Sequence, residues 1–160
     1  MRKMRKSSRQ RGTDWALEVF DKAPFVTVSM VRPDGTPYGL PLSLVRHNGQ
    51  TFYFHCAAEG EKLDCLKANP MVSLSAVSKC SPKFEEENHN FTEHYHSAIA
   101  VGRAEIVTDN FEKTEALRLL CIRFLPKYME HFEEAVTRSL ERTTVIKISL
   151  SEPPVGKCKP

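Results

Sequence analysis

The segment FYFHCAAEGEKLDCLKANP, residues 52–70, gathers the residues best suited to chemistry. An aromatic, strand-like run delivers His55. Gly60 and Lys62 then open a short helical pattern that carries Leu63 and Leu66 and stops before Pro70. Glycine lets a backbone approach a ligand closely, the first amides of a helix have no intrahelical acceptor, and a lysine in the first turn adds positive charge. Those are the parts of a phosphate cradle. Glu59 and Glu61 oppose an anion and equally suit the start of a plainly capped helix, so both readings stand. Gly-x-Lys is too short to be a P-loop signature.

A second group is His89, His94 and His96. His94 and His96 would share a face of an extended segment, as metal ligands can, but no cysteine or carboxylate at a firm spacing completes the set. No metal is expected. The five cysteines, Cys56, Cys65, Cys80, Cys121 and Cys158, are odd in number and contain no C-x-x-C pair, which predicts free thiols in a reducing compartment. His55 adjoins Cys56, yet successive strand residues face opposite sides, so a thiol nucleophile is not expected. The motifs Gly-x-Ser-x-Gly and His-Glu-x-x-His are absent, which leaves hydrolase chemistry without support.

These residues need elements to hold them. Thr13-Asp14 starts a short helix with Trp15, Leu17, Val19 and Phe20, ended by Pro24. FVTVSMV (25–31) and YGLPLSLV (38–45) read as a hairpin around Pro33-Asp34-Gly35. His47-Asn48-Gly49-Gln50 turns into the strand TFYFHC. MVSLSAV (71–77) alternates as a fourth strand, residues 78–93 read as a long polar loop, and HYHSAIAVGRAEIV is a fifth strand whose Gly102 suggests a bulge or a close backbone approach. Asp109 and Glu112 predict a capping box for a helix that Pro126 interrupts. A further helical segment spans about 128–141, and TTVIKISL (143–150) is the sixth strand. Six short strands with tight turns predict a mainly β, small closed or partly closed barrel with peripheral helices, in one domain spanning 1–160 with an extended tail at 151–160.

Six of the 23 basic residues, Arg2, Lys3, Arg5, Lys6, Arg9 and Arg11, crowd the first eleven positions, leaving 17 basic against 20 acidic residues in the body. Such an arm could meet an anionic partner or fold over a phosphate site, or simply be a solvated terminus. Without a reading helix or an aromatic-basic surface, no nucleic-acid partner is expected. No apolar run approaches the ~18 residues of a membrane span, and MRKMRKSSRQR lacks the apolar stretch of a secretory signal, so a cytoplasmic location without membrane contact is expected.

MRKMRKSSRQ, DGTPYGLPLSLV, YFHCAAEGEKLDCLKANPMVSLS, HYHSAIAVGRAEIV with EKTEALRLL, and TTVIKISL with Gly156-Lys157 occur in an order that resembles the flavin-binding split barrels related to pyridoxamine 5'-phosphate oxidase, and among them the nitroimidazole-resistance (Nim) flavoproteins. The resemblance implies a six-stranded antiparallel split β-barrel, a homodimer, and FMN bound at the subunit interface. By position it implies that His55, Cys56, Gly60 and Lys62 surround the FMN phosphate and ribityl chain. Pro41, Leu42 and Ser43 would line the isoalloxazine edge largely through backbone groups, and Ser97 would reach the flavin from the interface. Glu61 stands where pyridoxamine phosphate oxidases carry a basic residue, and their arginine-rich substrate-binding terminus is missing, which argues against vitamin-phosphate oxidation. The expectation is an FMN-dependent oxidoreductase acting on a small electron-poor aromatic, such as a nitro compound, with His55 or His96 as proton donor. A non-enzymatic flavin- or haem-binding protein is the alternative.

Overall fold

The computed structural model describes residues 4–160, so Arg2 and Lys3 of the basic arm lie outside the described residues. In chain order, a tight helical turn at Ser7–Arg9 leads to strand β1 (Gln10–Arg11), helix α1 (Thr13–Lys22), strands β2 (Val26–Val31), β3 (Pro37–Leu42), β4 (Val45–His47) and β5 (Thr51–Ala57), and helix α2 (Glu61–Ala68). Strands β6 (Met71–Glu85) and β7 (Asn90–Ile106) follow, then helices α3 (Asn110–Phe124) and α4 (Phe132–Ser139), and strands β8 (Thr143–Leu150) and β9 (Val155–Lys159).

The strands pair antiparallel in the order β3-β2-β6-β7-β8-β5-β4. Its two edge strands, β3 and β4, are consecutive segments of one run joined by Ser43 and Leu44, so the sheet curls back on itself. Counted as one bent strand, they leave the six-stranded split barrel that the sequence predicts. The interior is apolar because inward positions alternate along each strand: Val26 and Val28, Leu74 and Ala76, Ala98 and Ala100, Ile146 and Ile148, Phe52 and Phe54 are all buried. Helix α1 closes this core with Ala16, Val19 and Phe20, the last meeting Phe52 edge-on at 5.3 Å between ring centroids. Gly102 marks a close approach. A Cβ there would lie 2.8 Å from both Ile148 Cγ2 and the Ser149 carbonyl oxygen of β8, while the register shift falls between Val77 and Lys79.

Residues 78–93 are not a loop. They extend β6 and β7 into a hairpin arm, turned at Glu86–Asn88 and by His89 at φ 45°. The expected hydrophobic alternation is missing because neither face of the arm covers a core: every side chain from Lys79 to Phe84 is exposed. The segment expected to be an extended tail forms β9, which pairs with the far side of β7, and β1 in turn pairs with β9. Gly156 permits this, since a Cβ there would fall 2.4 Å from Trp15 Cε3.

A second core lies outside the barrel. Val45, Tyr53 and Val145 face outward from β4, β5 and β8 and are covered by Ala116, Leu117 and Leu120 of α3 and by Phe132 of α4. The Glu112 amide donates to Asp109 Oδ2 (2.7 Å), as the capping pattern predicts. The Glu112 carboxylate turns instead to the strands, accepting from Tyr53 Oη (2.7 Å) and pairing with Lys147 (3.0 Å). Those partners hold Glu112 below the usual carboxylate range, and burial together with Glu112 pushes the Tyr53 phenol well up.

Candidate functional site

Strand β5 separates two environments. Phe52 and Phe54 point into the barrel, whereas Tyr53 and His55 point out, and only Tyr53 is buried there. His55 is solvent-exposed at one edge, yet the surrounding protein disfavours its imidazolium. Burial and then the charge of Lys62 lower its pKa, so it is neutral at ordinary pH. Gly60 precedes α2 at φ 133°, a conformation that only glycine holds without strain, with no atom within 4 Å of the position a Cβ would take. The amides of Glu61 and Lys62 precede the first intrahelical donors, Leu63 and Asp64, both of which donate to the Gly60 carbonyl. Lys62 Nζ lies 5.7 Å from the Phe54 ring centroid, and no carboxylate among the described residues pairs with it.

The split in the barrel lies alongside. Strand β4 pairs with β5 as far as Val45↔Tyr53, and continuing that register by two residues would put Ser43 opposite His55, where the chain instead leaves toward β2. Ser43 is exposed. Ser43, His55, Gly60 and Lys62 therefore converge on one end of the molecule. Leu42 and Cys56 point inward against the barrel core, leaving their backbone as the part available to a ligand, and burial raises the Cys56 thiol, so it is not a thiolate. Pro41 and Ser97 lie on the outer face of the β3-β2-β6-β7 region, three strand spacings apart and offset by two residues along β7, more than roughly 14 Å. His96 belongs to the opposite, inward side of β7 with Ala98, and its ring stands 5.2 Å from that of Trp15 in an edge contact, so it does not share a surface with His55.

Two features escaped the sequence reading. The first is an apolar cavity of about 320 Å³ between α3, the tight turns at Pro126–His131, α4 and the end of β5, lined by His55, Leu117, Cys121, Leu125, Tyr128 and Phe132 among others. Its walls come from segments whose relative placement no local pattern encodes. The second is Arg32. Its Nε donates to Glu61 Oε1 at 2.5 Å, its Nη1 donates to the Pro37 carbonyl at 2.9 Å, and the guanidinium sits 4.8 Å over the Tyr38 ring. Residues 29 apart in sequence meet only after the hairpin and the helix have packed.

His94 and His96 do share a face of β7, and among the described residues no group of three or more His, Cys, Asp and Glu side chains is placed to hold a metal ion. Among those residues no helix is long and apolar enough to cross a membrane.

A six-stranded barrel opened along one seam, with a helix N-terminus and a lysine beside the opening, defines the split-barrel class. The chain belongs to the pyridoxamine 5'-phosphate oxidase family, whose profile matches residues 13–155. No curated protein matches it. Solved structures share the fold at low identity. A candidate 5-nitroimidazole antibiotic resistance protein from Bacteroides thetaiotaomicron superposes with a TM-score of 0.78 at 20% identity, covering 93% of this chain and 87% of that one. The flavocytochrome Anf3 from Azotobacter vinelandii gives 0.84 at 21% identity, covering 99% and 72%. An FAD- and haem-binding protein from Mycobacterium smegmatis gives 0.78 at 21% identity, covering 94% and 73%.

Proposed function

We propose that this chain is an FMN-dependent oxidoreductase that acts, as a homodimer, on a small electron-poor aromatic compound such as a nitroaromatic. The observation that carries the reading is the convergence of Gly60, neutral His55 and Lys62, a cation paired with no carboxylate among the described residues, on the open seam, with an apolar cavity beside His55. The residues fit a flavin phosphate. Gly60 lets the anion approach the backbone, the free amides of Glu61 and Lys62 can donate to it, and Lys62 supplies charge. FMN, once bound, would supply the electron-transfer chemistry. The protein's share is to hold the ring at the Pro41 to Ser43 edge and to offer His55 as a hydrogen-bond donor; its lowered pKa leaves the ring neutral at ordinary pH, which speaks against the proton-donor role expected from the sequence. It would also seat an aromatic acceptor against the apolar walls of the partly open cavity. Flavin-binding proteins among the structural neighbours support the cofactor class, and the candidate nitroimidazole-resistance protein supports the substrate class.

The bare outer face of β2, β3, β6 and β7 supports the dimer reading. Val77 (48% exposed) and Ile99 (47%) stand there among Thr27, Ser29, Ser75 and Ser97, and the arm adds Phe91, 86% exposed and 4.8 Å from the ring of Phe84. A flat sheet face of small side chains with projecting aliphatic and aromatic residues suits a second copy, and Ser97 on that face would then reach flavin across the interface. All five cysteines are free thiols, which fits a cytoplasmic setting. A non-enzymatic or haem-binding role is the second reading, because His131 lines the same cavity as His55. A Soret band on haem titration, with no flavin retained, would favour it.

The test is FMN titration of desalted protein, followed in the visible flavin bands. Lys62→Ala should weaken FMN binding by about tenfold or more, the scale of one charge-assisted phosphate contact of about 1.5–3 kcal/mol. Unchanged affinity in that variant would remove Lys62 from the phosphate site.

A further inference from the structure

Glu61 is an unexpected residue at the mouth of a phosphate cradle, and its surroundings suggest what it does there. The carboxylate is not left facing the anion's path. It accepts from Arg32 Nε at 2.5 Å, and the same guanidinium is anchored at Nη1 by the Pro37 carbonyl (2.9 Å) and stacked over Tyr38 (4.8 Å). Arg32 is about one-third exposed, and Glu61 holds its pKa up, so it carries its full charge at every working pH. A guanidinium has five N–H donors in a rigid fork. Here Nε and Nη1 are engaged, while Nη2 makes no hydrogen bond to any described residue. An arginine fixed on two sides and open on the third, bonded to the first residue of α2 and one position from Lys62, is a preorganised anion ligand.

We propose that Arg32 is a phosphate ligand of this site and Glu61 its positioning residue, so that Arg32, reaching in from the turn between β2 and β3, provides the second cation that position 61 itself does not. The inference rests on the flavin reading above and adds a specificity to it. The pair selects phosphorylated flavin over riboflavin, because Arg32 touches only the phosphate end. Glu61 lowers the net charge at the cradle in exchange for order, which predicts that replacing it with a neutral acceptor tightens binding.

The experiment measures dissociation constants for FMN and for riboflavin, by quenching of flavin fluorescence, in the wild-type chain and in Arg32→Gln, Arg32→Lys and Glu61→Gln, with a melting curve of each variant to show that it is folded. Arg32→Gln should weaken FMN binding by about tenfold or more and leave riboflavin binding unchanged. Arg32→Lys should recover part of the loss, since it keeps the charge but not the fork. Glu61→Gln should hold Arg32 through its amide oxygen and bind FMN a few-fold more tightly than the wild type. Raising the salt concentration should erode FMN affinity less in Arg32→Gln than in the wild type. If Arg32→Gln changes FMN and riboflavin affinity equally, or changes neither, the pair is only a strut between the hairpin and α2 and the inference fails while the flavin reading stands. A wild-type chain that binds neither flavin overturns both.

Discussion

The outer surface of the barrel has two unlike halves. Over β4, β5 and β8, α3 and α4 cover Val45, Tyr53 and Val145 and line the partly open cavity beside His55. Over β2, β3, β6 and β7 no helix among the described residues covers the outer face, whose side chains are mostly small or polar with Val31, Met71, Val77 and Ile99 projecting among them. A sheet face needs a cover when its residues are large and apolar, and the covered half obtains one from its own chain. The bare half keeps no such cover among the described residues, and the seam at Ser43 and His55 lies where β3 of the bare half hands over to β4 of the covered half. Under the proposed function, a cofactor at that seam would have one wall from the helical side and one from a second copy.

The largest effect is expected on the covered half. Leu120→Ala should cost about 2–5 kcal/mol in urea unfolding, because it opens a void under α3, whereas Ile99→Ala on the bare half should change the stability of the isolated chain by less than about 0.5 kcal/mol. Equal losses at the two positions would mean that the bare face is packed after all. Next comes association. Ile99→Arg should weaken self-association by at least about 2 kcal/mol in sedimentation equilibrium, since it places like charges across a two-fold contact, without lowering the melting temperature measured at monomeric concentrations.

The smallest effect is a pH dependence at the seam. Burial and Lys62 lower the folded-state pKa of His55, so as pH falls below about 6.5 the unfolded chain takes up the proton first and stability declines. That decline runs from the unfolded pKa down to the lower folded one, and it should be shallower in His55→Gln. Placing a phosphate dianion nearby should raise the His55 pKa, which an NMR titration of its ring protons with and without FMN would read directly. No shift would put the phosphate elsewhere.

Much of this arrangement was legible in the sequence, because it depends on local rules. Asn-Gly at 48 and 49, the alternation through Val72, Leu74 and Ala76, the Asp109 cap and the breaks at Pro24 and Pro70 each act within a few residues, and the elements they mark are present. The arm was illegible because alternation reports a core, and Lys79 to Phe84 have none on either side. β9 was missed for a similar reason, since a Pro-rich segment becomes a strand only because Gly156 can lie against Trp15 and pair with β7. At the site, the sequence marked His55, Gly60 and Lys62 through their spacing within one strand-to-helix unit. It gave no sign of Arg32 or of the walls around Tyr128 and Phe132, which only packing brings together.

The most direct test is sedimentation velocity of the chain mixed with FMN and followed at the visible flavin band. Visible absorbance that sediments at the mass of two chains, with about one FMN per chain, is the result expected of a flavin held at a seam completed by a second copy. Flavin that stays behind with the small molecules, or that travels with a single chain at full occupancy, would contradict it.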